Sequence, residues 1–435
     1  MISLENIKNK KSRLGVIGLG YVGLPLAIEF NKLGFEVKGF DVDLKKIESL
    51  NKGISYIEHI EDEDISELNS RHEFATSNFK ELSEVEIIFV CVPTPIDKNR
   101  NPFMGHLEDT AKSISSNLKS GHLILIESST YPGTTNELIK PILEESGLKC
   151  HEDFFLAYSP EREDPGNKSF KIDNIPKVVG ADNKQSLDFA SGIYSLLTTV
   201  HKMDSTYEAE AVKLTENIFR SVNIALVNEL KIIFDQMDID IWNVVDGAST
   251  KPFGYMPFYP GPGIGGHCIP VDPFYLTYKA KQYSIPTKFI ELAGDINASM
   301  PSYIIQNCKD LLNTNEIRLD SAKVLVLGVA YKKDIDDMRE SPSIEIMNLL
   351  VENGAKVEFY DPLIEKIPEL RKFPDFCDLS RIELNQKSIV GFDIVLICTD
   401  HSEVDYQLLI DNSKLIIDTR NCLPKDAYNE RIIKA

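Results

Sequence analysis

The chain has 435 residues, 43% of them hydrophobic and 26% charged, with a formal net charge of −20. That length is too great for one hydrophobic core and points to two or three domains of an ordinary soluble globular protein. The acidic balance argues against nonspecific binding to nucleic acid or anionic lipid, yet leaves room for an anionic small molecule held by a local group of Lys and Arg.

The opening segment, "MISLENIKNKKSRLGVIGLG", has no continuous apolar run of the kind a signal peptide needs, and no stretch reaches the roughly 20 apolar residues that span a bilayer. Next comes a strand-like run at 14–17, which leads into "GLGYVG" and the helical pattern "LPLAIEFNKLG". A second strand, "FEVKGF", ends on Asp41, and the runs "VEIIFVCVPTP" and "HLILIESST" continue an alternation of strands and amphipathic stretches. This grammar predicts a doubly wound parallel sheet. One uninterrupted helix is expected over 207–237, either a dimer interface or a spine, with more helix around 286–312. In the last third, "AKVLVLGVAY", "AKVEFYDP", "FDIVLICTD" and "KLIIDTRN" repeat the opening pattern, so a second α/β domain is expected, although "GVAYKK" lacks the glycine fingerprint. The fold class expected is therefore two Rossmann-like doubly wound parallel-sheet domains joined by a central helical domain, with boundaries at 1–203, 204–312 and 313–435.

Gly18, Leu19, Gly20, Tyr21, Val22 and Gly23 follow a strand and open a helix, which makes a weak motif a strong one. Gly18 suits the tight turn, Gly20 the approach of backbone to a pyrophosphate, and Gly23 close packing of helix on strand. Asp41, 18 residues after Gly23, can accept from both ribose hydroxyls and repels a 2′-phosphate, so NAD is favoured; Lys45 and Lys46 nearby leave NADP as the alternative. Thr94 and Thr130 stand at strand ends, where they either face the ligand or cap the segment that follows. Glu161 ends a further strand in "AYSPEREDPGN". Lys213 and Asn217, four residues apart on the long helix, share a face and are either solvated or, on a helix packed from several sides, turned to an anionic or hydroxylic partner.

The seven cysteines, at 91, 150, 268, 308, 377, 398 and 422, form no C-x-x-C pair, so neither a disulfide framework nor a metal site is indicated and a reducing cytoplasm is expected. Cys268 is set apart by its frame, "GPGIGGHCIPVDP", which holds Asp272 four residues on. A cysteine in such a place is either a small core hydrophobe or a nucleophile, and the glycines at 263, 265 and 266 favour the second by clearing side chains from its approach. Beside an NAD site, a thiol is superfluous for one alcohol oxidation. It becomes useful when the aldehyde must go on to an acid, because its adduct can give up a second hydride. Phe253, Tyr255, Phe258 and Tyr259, just before the thiol, either offer an apolar surface to a substrate acetamido methyl or pack a dimer interface.

Taken in order, "GLGYVGLPLA", "VPTP", "YSPER", "AVKLTEN", "GPGIGGHCIPVDP", "GVAYKKDIDDMRESPS" and "DTRN" resemble the UDP-glucose/GDP-mannose dehydrogenase family along nearly the whole chain. The resemblance implies an NAD-binding domain, a helical dimerisation domain giving a homodimer, and a sugar-nucleotide domain. It also implies oxidation of a hexose C6 alcohol to a carboxylate with two NAD per turnover. By position, Cys268 is similar to the family's nucleophile and Asp272 to the carboxylate that assists it. Lys213 and Asn217 resemble groups that polarise the C6 oxygen, Glu161 the base for thioester hydrolysis, and Thr130 a residue that places water. Lys332 and Arg420 resemble anion-binding groups and Arg339 an arginine near the cofactor, while Arg162 and Gly265 fall in motifs expected to line the sugar nucleotide. His267, where UDP-glucose oxidisers commonly have Ser, and the continuation "PEREDPGN" resemble the branch acting on UDP-N-acetylhexosamines, with UDP-N-acetylglucosamine the first expectation. UDP-N-acetylgalactosamine, UDP-N-acetylmannosamine and UDP-glucose are the alternatives. A two-electron β-hydroxyacid dehydrogenase and a non-catalytic nucleotide-sugar sensor are more remote, since neither has a use for Cys268.

Overall fold

A computed structural model describes residues 2–57, 60–70, 72–97, 100–162, 170, 172–266, 269–370 and 372–435. The chain divides into two compact units: Met1–Glu216 with Phe274–Pro286, and Asn217–Pro273 with Thr287–Ala435.

In the first unit eight strands form one sheet: β1 (Leu14–Ile17), β2 (Val37–Phe40), β3 (Ala75–Thr76), β4 (Ile87–Val90), β5 (Leu123–Ile126), β6 (Phe155–Tyr158), β7 (Lys177–Gly180) and β8 (Val200–Met203). Their order is β3-β2-β1-β4-β5-β6-β7-β8. The chain starts at β1, winds outward to β3, then returns to β4 on the other side of β1. That reversal makes the carboxyl ends of β1 and β4 the place where a doubly wound sheet receives a ligand. Every position of β1, β4, β5 and β6 is buried, which is why these strands read as unbroken apolar runs rather than alternating ones. Helix Gly23–Lys32 buries Leu24, Leu26, Ala27, Ile28 and Phe30. The pair β6 and β7 is antiparallel, with Tyr158 opposite Gly180.

The second unit repeats the plan with β9 (Lys323–Leu327), β10 (Lys356–Tyr360), β11 (Ile394–Ile397), β12 (Ile416–Asp418) and β13 (Ile432–Lys434), all parallel in the order β10-β9-β11-β12-β13. Alternate residues serve two cores. Val324, Val326 and Leu396 join one apolar cluster, while Leu325, Leu327, Val395 and Ile397 join the other. Both sheets of the expected fold class are present, with helices between them in the chain.

Those helices match the sequence reading closely. The long one is Thr206–Asp235, 30 residues, and it passes from the first unit into the second. Ile241–Ser249 is capped by the Asp240 carboxylate, which accepts from the Trp242 N–H. Lys288–Thr314 runs through Pro301. Buried Met300, Ile304 and Cys308 hold that helix together where proline removes a backbone donor. Among the described residues, no helix is long and apolar enough to cross a membrane.

Candidate active site

The glycine loop behaves as its spacing predicts. Gly18 has φ +89°, and a Cβ on it would lie 2.6 Å from the Cys91 carbonyl oxygen. A Cβ on Gly23 would lie 2.0 Å from the Gly18 oxygen, so helix and turn are in direct contact there. By contrast, nothing stands within 4 Å of a Cβ at Gly20, where a ligand's phosphates would come against bare backbone at the helix N-terminus. Tyr21 and Val22 are half-buried at the helix entrance. Asp41 is buried at the end of β2, where its carboxylate accepts from the Leu19 N–H at 2.9 Å and the Asp43 N–H at 2.9 Å. Lys46, not Lys45, comes near it, with Nζ 3.8 Å from Oδ2. These groups fit a dinucleotide: open backbone for the pyrophosphate and a fixed carboxylate for the ribose.

Three further strand ends in this unit carry polar groups. Thr94 is buried, and its carbonyl accepts from the Tyr275 hydroxyl. Thr130, after β5, donates to Glu210 at 3.4 Å. The same buried carboxylate accepts from the Gly133 N–H at 2.6 Å, the Thr135 N–H at 2.8 Å and the Thr135 hydroxyl at 2.7 Å. Burial raises Glu210 to about 7 against the pull of these donors. Lys213, one turn further along the same helix, is buried. Glu161, after β6, is buried and pairs with Lys177 at 2.7 Å. Lys177 also pairs with the buried Glu127 at 2.8 Å, and Glu127 accepts from the Tyr194 hydroxyl at 2.6 Å. Burial by itself would lower the Lys177 ammonium, but the two carboxylates outweigh it and its pKa is raised. Glu127 is raised by its burial. Arg162 grips Glu216 at 2.6 Å and the Pro176 carbonyl at 2.7 Å.

The second unit brings Asn217 and Asp272 together, 55 residues apart in sequence, through an Nδ2 to Oδ2 hydrogen bond of 2.6 Å. Asp272 is buried at the first residue of helix Asp272–Gln282. His267 and Cys268 lie outside the described residues. The glycines before them are not open space. A Cβ on Gly265 would lie 2.6 Å from Tyr331 Cβ, and one on Gly263 would lie 2.9 Å from Pro342 Cβ. What their missing side chains admit is the unit's own 331–342 segment, to which the Gly266 N–H donates at the Arg339 carbonyl, 3.0 Å away. The Arg339 side chain folds onto Asp337, with contacts from 2.5 to 3.0 Å. Lys332 is half-buried beside Tyr331. Arg420, after β12, donates to the Cys398 carbonyl at 2.8 Å, and its guanidinium abuts Gly261, where a Cβ would lie 2.9 Å from it.

The loop after β9 explains the lost fingerprint. Gly328 keeps the left-handed turn at φ +80°, but the Val329 and Ala330 N–H groups are taken by Asp361 at 2.8 and 3.2 Å. Asp361 in turn pairs with buried His401 at 3.1 Å. Backbone donors that would cradle a pyrophosphate are thus satisfied internally.

Family models for the UDP-glucose/GDP-mannose dehydrogenases match in three successive parts: the NAD binding domain at residues 12–198, the central domain at 207–299 and the UDP binding domain at 325–425. The chain belongs to this family. It is 36% identical over 398 residues to a UDP-N-acetyl-D-glucosamine 6-dehydrogenase of Pseudomonas aeruginosa, covering 91% of this chain and 92% of that one. It is 33% identical over 441 residues to an enzyme of the same name from Salmonella typhi, covering 99% and 100%. The solved structure of a UDP-D-ManNAc dehydrogenase from Pyrococcus horikoshii superposes with a TM-score of 0.86 at 30% identity, over 97% of this chain and 98% of that one. The protein is therefore an oxidoreductase, a nucleotide-sugar dehydrogenase whose cofactor is NAD.

The sequence reading passed over Glu127, Lys177 and Glu210. Each carried a faint signal: a carboxylate directly after the apolar run "HLILI", a lysine opening "KVVG", and a glutamate one turn before Lys213. None of these signals names a partner, because their partners are 16 to 80 residues away.

Proposed function

We propose that this dehydrogenase oxidises the C6 alcohol of a UDP-N-acetylhexosamine, UDP-N-acetylglucosamine in the first place, to the uronic acid. Four electrons leave the sugar in two steps. NAD held at the glycine loop and Asp41 would supply the hydride acceptor, a fresh molecule for each step. The first oxidation gives an aldehyde, to which the Cys268 thiolate adds to form a thiohemiacetal. The second gives a thioester, which water cleaves to the acid and the free thiol. Lys213 and Asn217 polarise the C6 oxygen and steady the oxyanions. Asp272 assists the thiol. Glu161 takes the proton of the hydrolytic water, and Thr130 helps to place that water.

Asp41 holds the ribose of NAD and Arg339 lies towards the cofactor, with Thr94 at the neighbouring strand end. Arg162, Gly265, Lys332 and Arg420 bind the sugar nucleotide. The domain limits that go with this reading are 1–203, 204–312 and 313–435. The enzyme works in the cytoplasm, as a homodimer through the central helix, and supplies surface polysaccharide synthesis, lipopolysaccharide included.

The observation that carries the reading is the 2.6 Å hydrogen bond from half-buried Asn217 to buried Asp272, which stands four residues beyond the thiol in sequence. A carboxylate that accepts from Asn217 is held in a fixed direction rather than left to solvent. For the sugar, the names of the P. aeruginosa and S. typhi relatives support UDP-N-acetylglucosamine, whereas the P. horikoshii structure supports UDP-N-acetylmannosamine. Two measurements test the proposal. NADH formed per sugar should be two, and a value of one would remove the thioester route. The kcat/KM for UDP-N-acetylglucosamine should exceed those for UDP-N-acetylmannosamine, UDP-N-acetylgalactosamine and UDP-glucose, the last by roughly 10².

A further inference from the structure

Strands β1 to β6 of the first sheet run parallel and bring their carboxyl ends to the edge where β1 and β4 reverse the winding. The direction changes at β7, and β8 follows it. Strand β7 runs antiparallel to β6, so the beginning of β7 arrives beside the end of β6. With Tyr158 opposite Gly180, the register places Lys177 level with Glu161. The result is a buried cluster of one ammonium and two carboxylates, with Nζ 2.7 Å from Glu161 Oε2 and 2.8 Å from Glu127 Oε2.

Each member is held from a separate element. Glu127 follows β5 and is fixed by the Tyr194 hydroxyl at 2.6 Å, from helix Lys184–Tyr194. The second oxygen of Glu161 accepts from the Arg162 N–H at 2.6 Å. The Arg162 guanidinium is turned to Glu216. The half-buried Cys91 after β4 lies near the cluster, and desolvation of its thiol raises its pKa before the charges of Glu127 and Lys177 act on it. The Tyr194 phenol is likewise raised by burial. Lys177 faces Glu161 directly, and it is 3% exposed, out of reach of screening by solvent.

We propose that Lys177 is a positioning residue for the hydrolytic half of the reaction: it fixes the direction and the charge of the Glu161 carboxylate, and Glu127 anchors it from behind. The inference rests on the proposed role of Glu161 as the base that takes a proton from water. A carboxylate that must ionise in a dry place needs a cation at contact distance, or it stays protonated and cannot act as a base. Its distal oxygen is also tied down by the ammonium, so that the proton-accepting position does not wander.

The test is the pH dependence of acid formation by the full-length enzyme with NAD and the UDP sugar. Lys177→Gln retains a hydrogen-bond donor and removes the charge. It should move the acid limb of the kcat profile upward by about one pH unit or more, with the KM for the UDP sugar little changed. Lys177→Arg should restore the limb. A folded Lys177→Gln enzyme whose acid limb coincides with that of the wild type would overturn the proposal. Should the Lys177 variants not fold, Glu127→Gln carries the test. With Lys177 left wholly to Glu161, the acid limb should stay in place or move down, and an upward movement counts against the proposal. Glu161→Gln separates this inference from the reading beneath it. If that variant forms acid at the wild-type rate, Glu161 is not the base; if it fails to form acid while Lys177→Gln is unaffected, only the role of Lys177 is lost.

Discussion

Asp41 shows how one side chain does two jobs at residue scale. It closes the glycine loop through the Leu19 N–H, and in the proposed NAD site it would set a negative charge where a 2′-phosphate would come. Asp41→Asn keeps an acceptor and drops the charge, so the NAD over NADP ratio of kcat/KM should narrow by about one order of magnitude; an unchanged ratio would place discrimination elsewhere, with Lys46 the first residue to examine. Glu210 makes a second residue-scale prediction. Its folded value of about 7 is above the ordinary 4.5, so the folded chain binds the extra proton. The stability that proton linkage contributes is full below pH 4.5 and is lost as the pH rises through about 7. Glu210→Gln should remove that part of the pH slope in urea unfolding at pH 5 and pH 8. It should also lower stability by about 1–3 kcal/mol, because the Gly133 and Thr135 N–H groups approach different carboxylate oxygens and the amide replaces one of these with an NH2 donor. Gly18, Gly20, Gly23 and Asp41 were legible because their spacing is local. Glu127, Lys177 and Glu210 were not, because each acquires its meaning from a partner on another strand or helix.

At the scale of the element, the long helix exposes Phe219, Leu226 and Ile233 at 49%, 51% and 46%, seven residues apart and so on nearly one face. Solvent is a costly neighbour for such a stripe, and a second copy would cover it. Leu226→Glu should shift the protein toward monomer in sedimentation velocity while leaving the far-ultraviolet dichroism unchanged; a dimer of undiminished stability would reject this face as the interface. Phe258 stacks edge-on against Phe219, with centroids 5.8 Å apart, and Tyr259 donates to Asp246 at 2.7 Å. Of the two uses read for the aromatic segment, packing along the helix therefore has contacts behind it. Uninterrupted apolar periodicity made this helix readable to within two residues at each end. The continuity of Lys288–Thr314 through Pro301 has a different origin, since its buried face outweighs the missing donor.

For the whole molecule, the division into two units predicts how ligands act on stability. NAD should protect backbone amides of the first unit against hydrogen exchange, above all around β1, β2 and β4, and at about 100 times its dissociation constant it should add about 2.7 kcal/mol. Protection confined to residues 287–435 would contradict the assignment of NAD to the glycine loop. The repeat of strand and helix patterns, the glycine spacing and the carboxylate at the end of β2 were enough to specify two doubly wound sheets and a dinucleotide loop, because those features depend on neighbours within one β-α unit. Tertiary structure alone decided three other matters. It showed that the 331–342 segment, rather than open space, fills the room left by Gly263 and Gly265. It gave the donors after β9 to Asp361. It also reversed β7, so that Lys177 meets Glu127 and Glu161. The physical reason is common to all three: direction, register and occupied volume are properties of elements brought together, and a chain read residue by residue carries no distance between them.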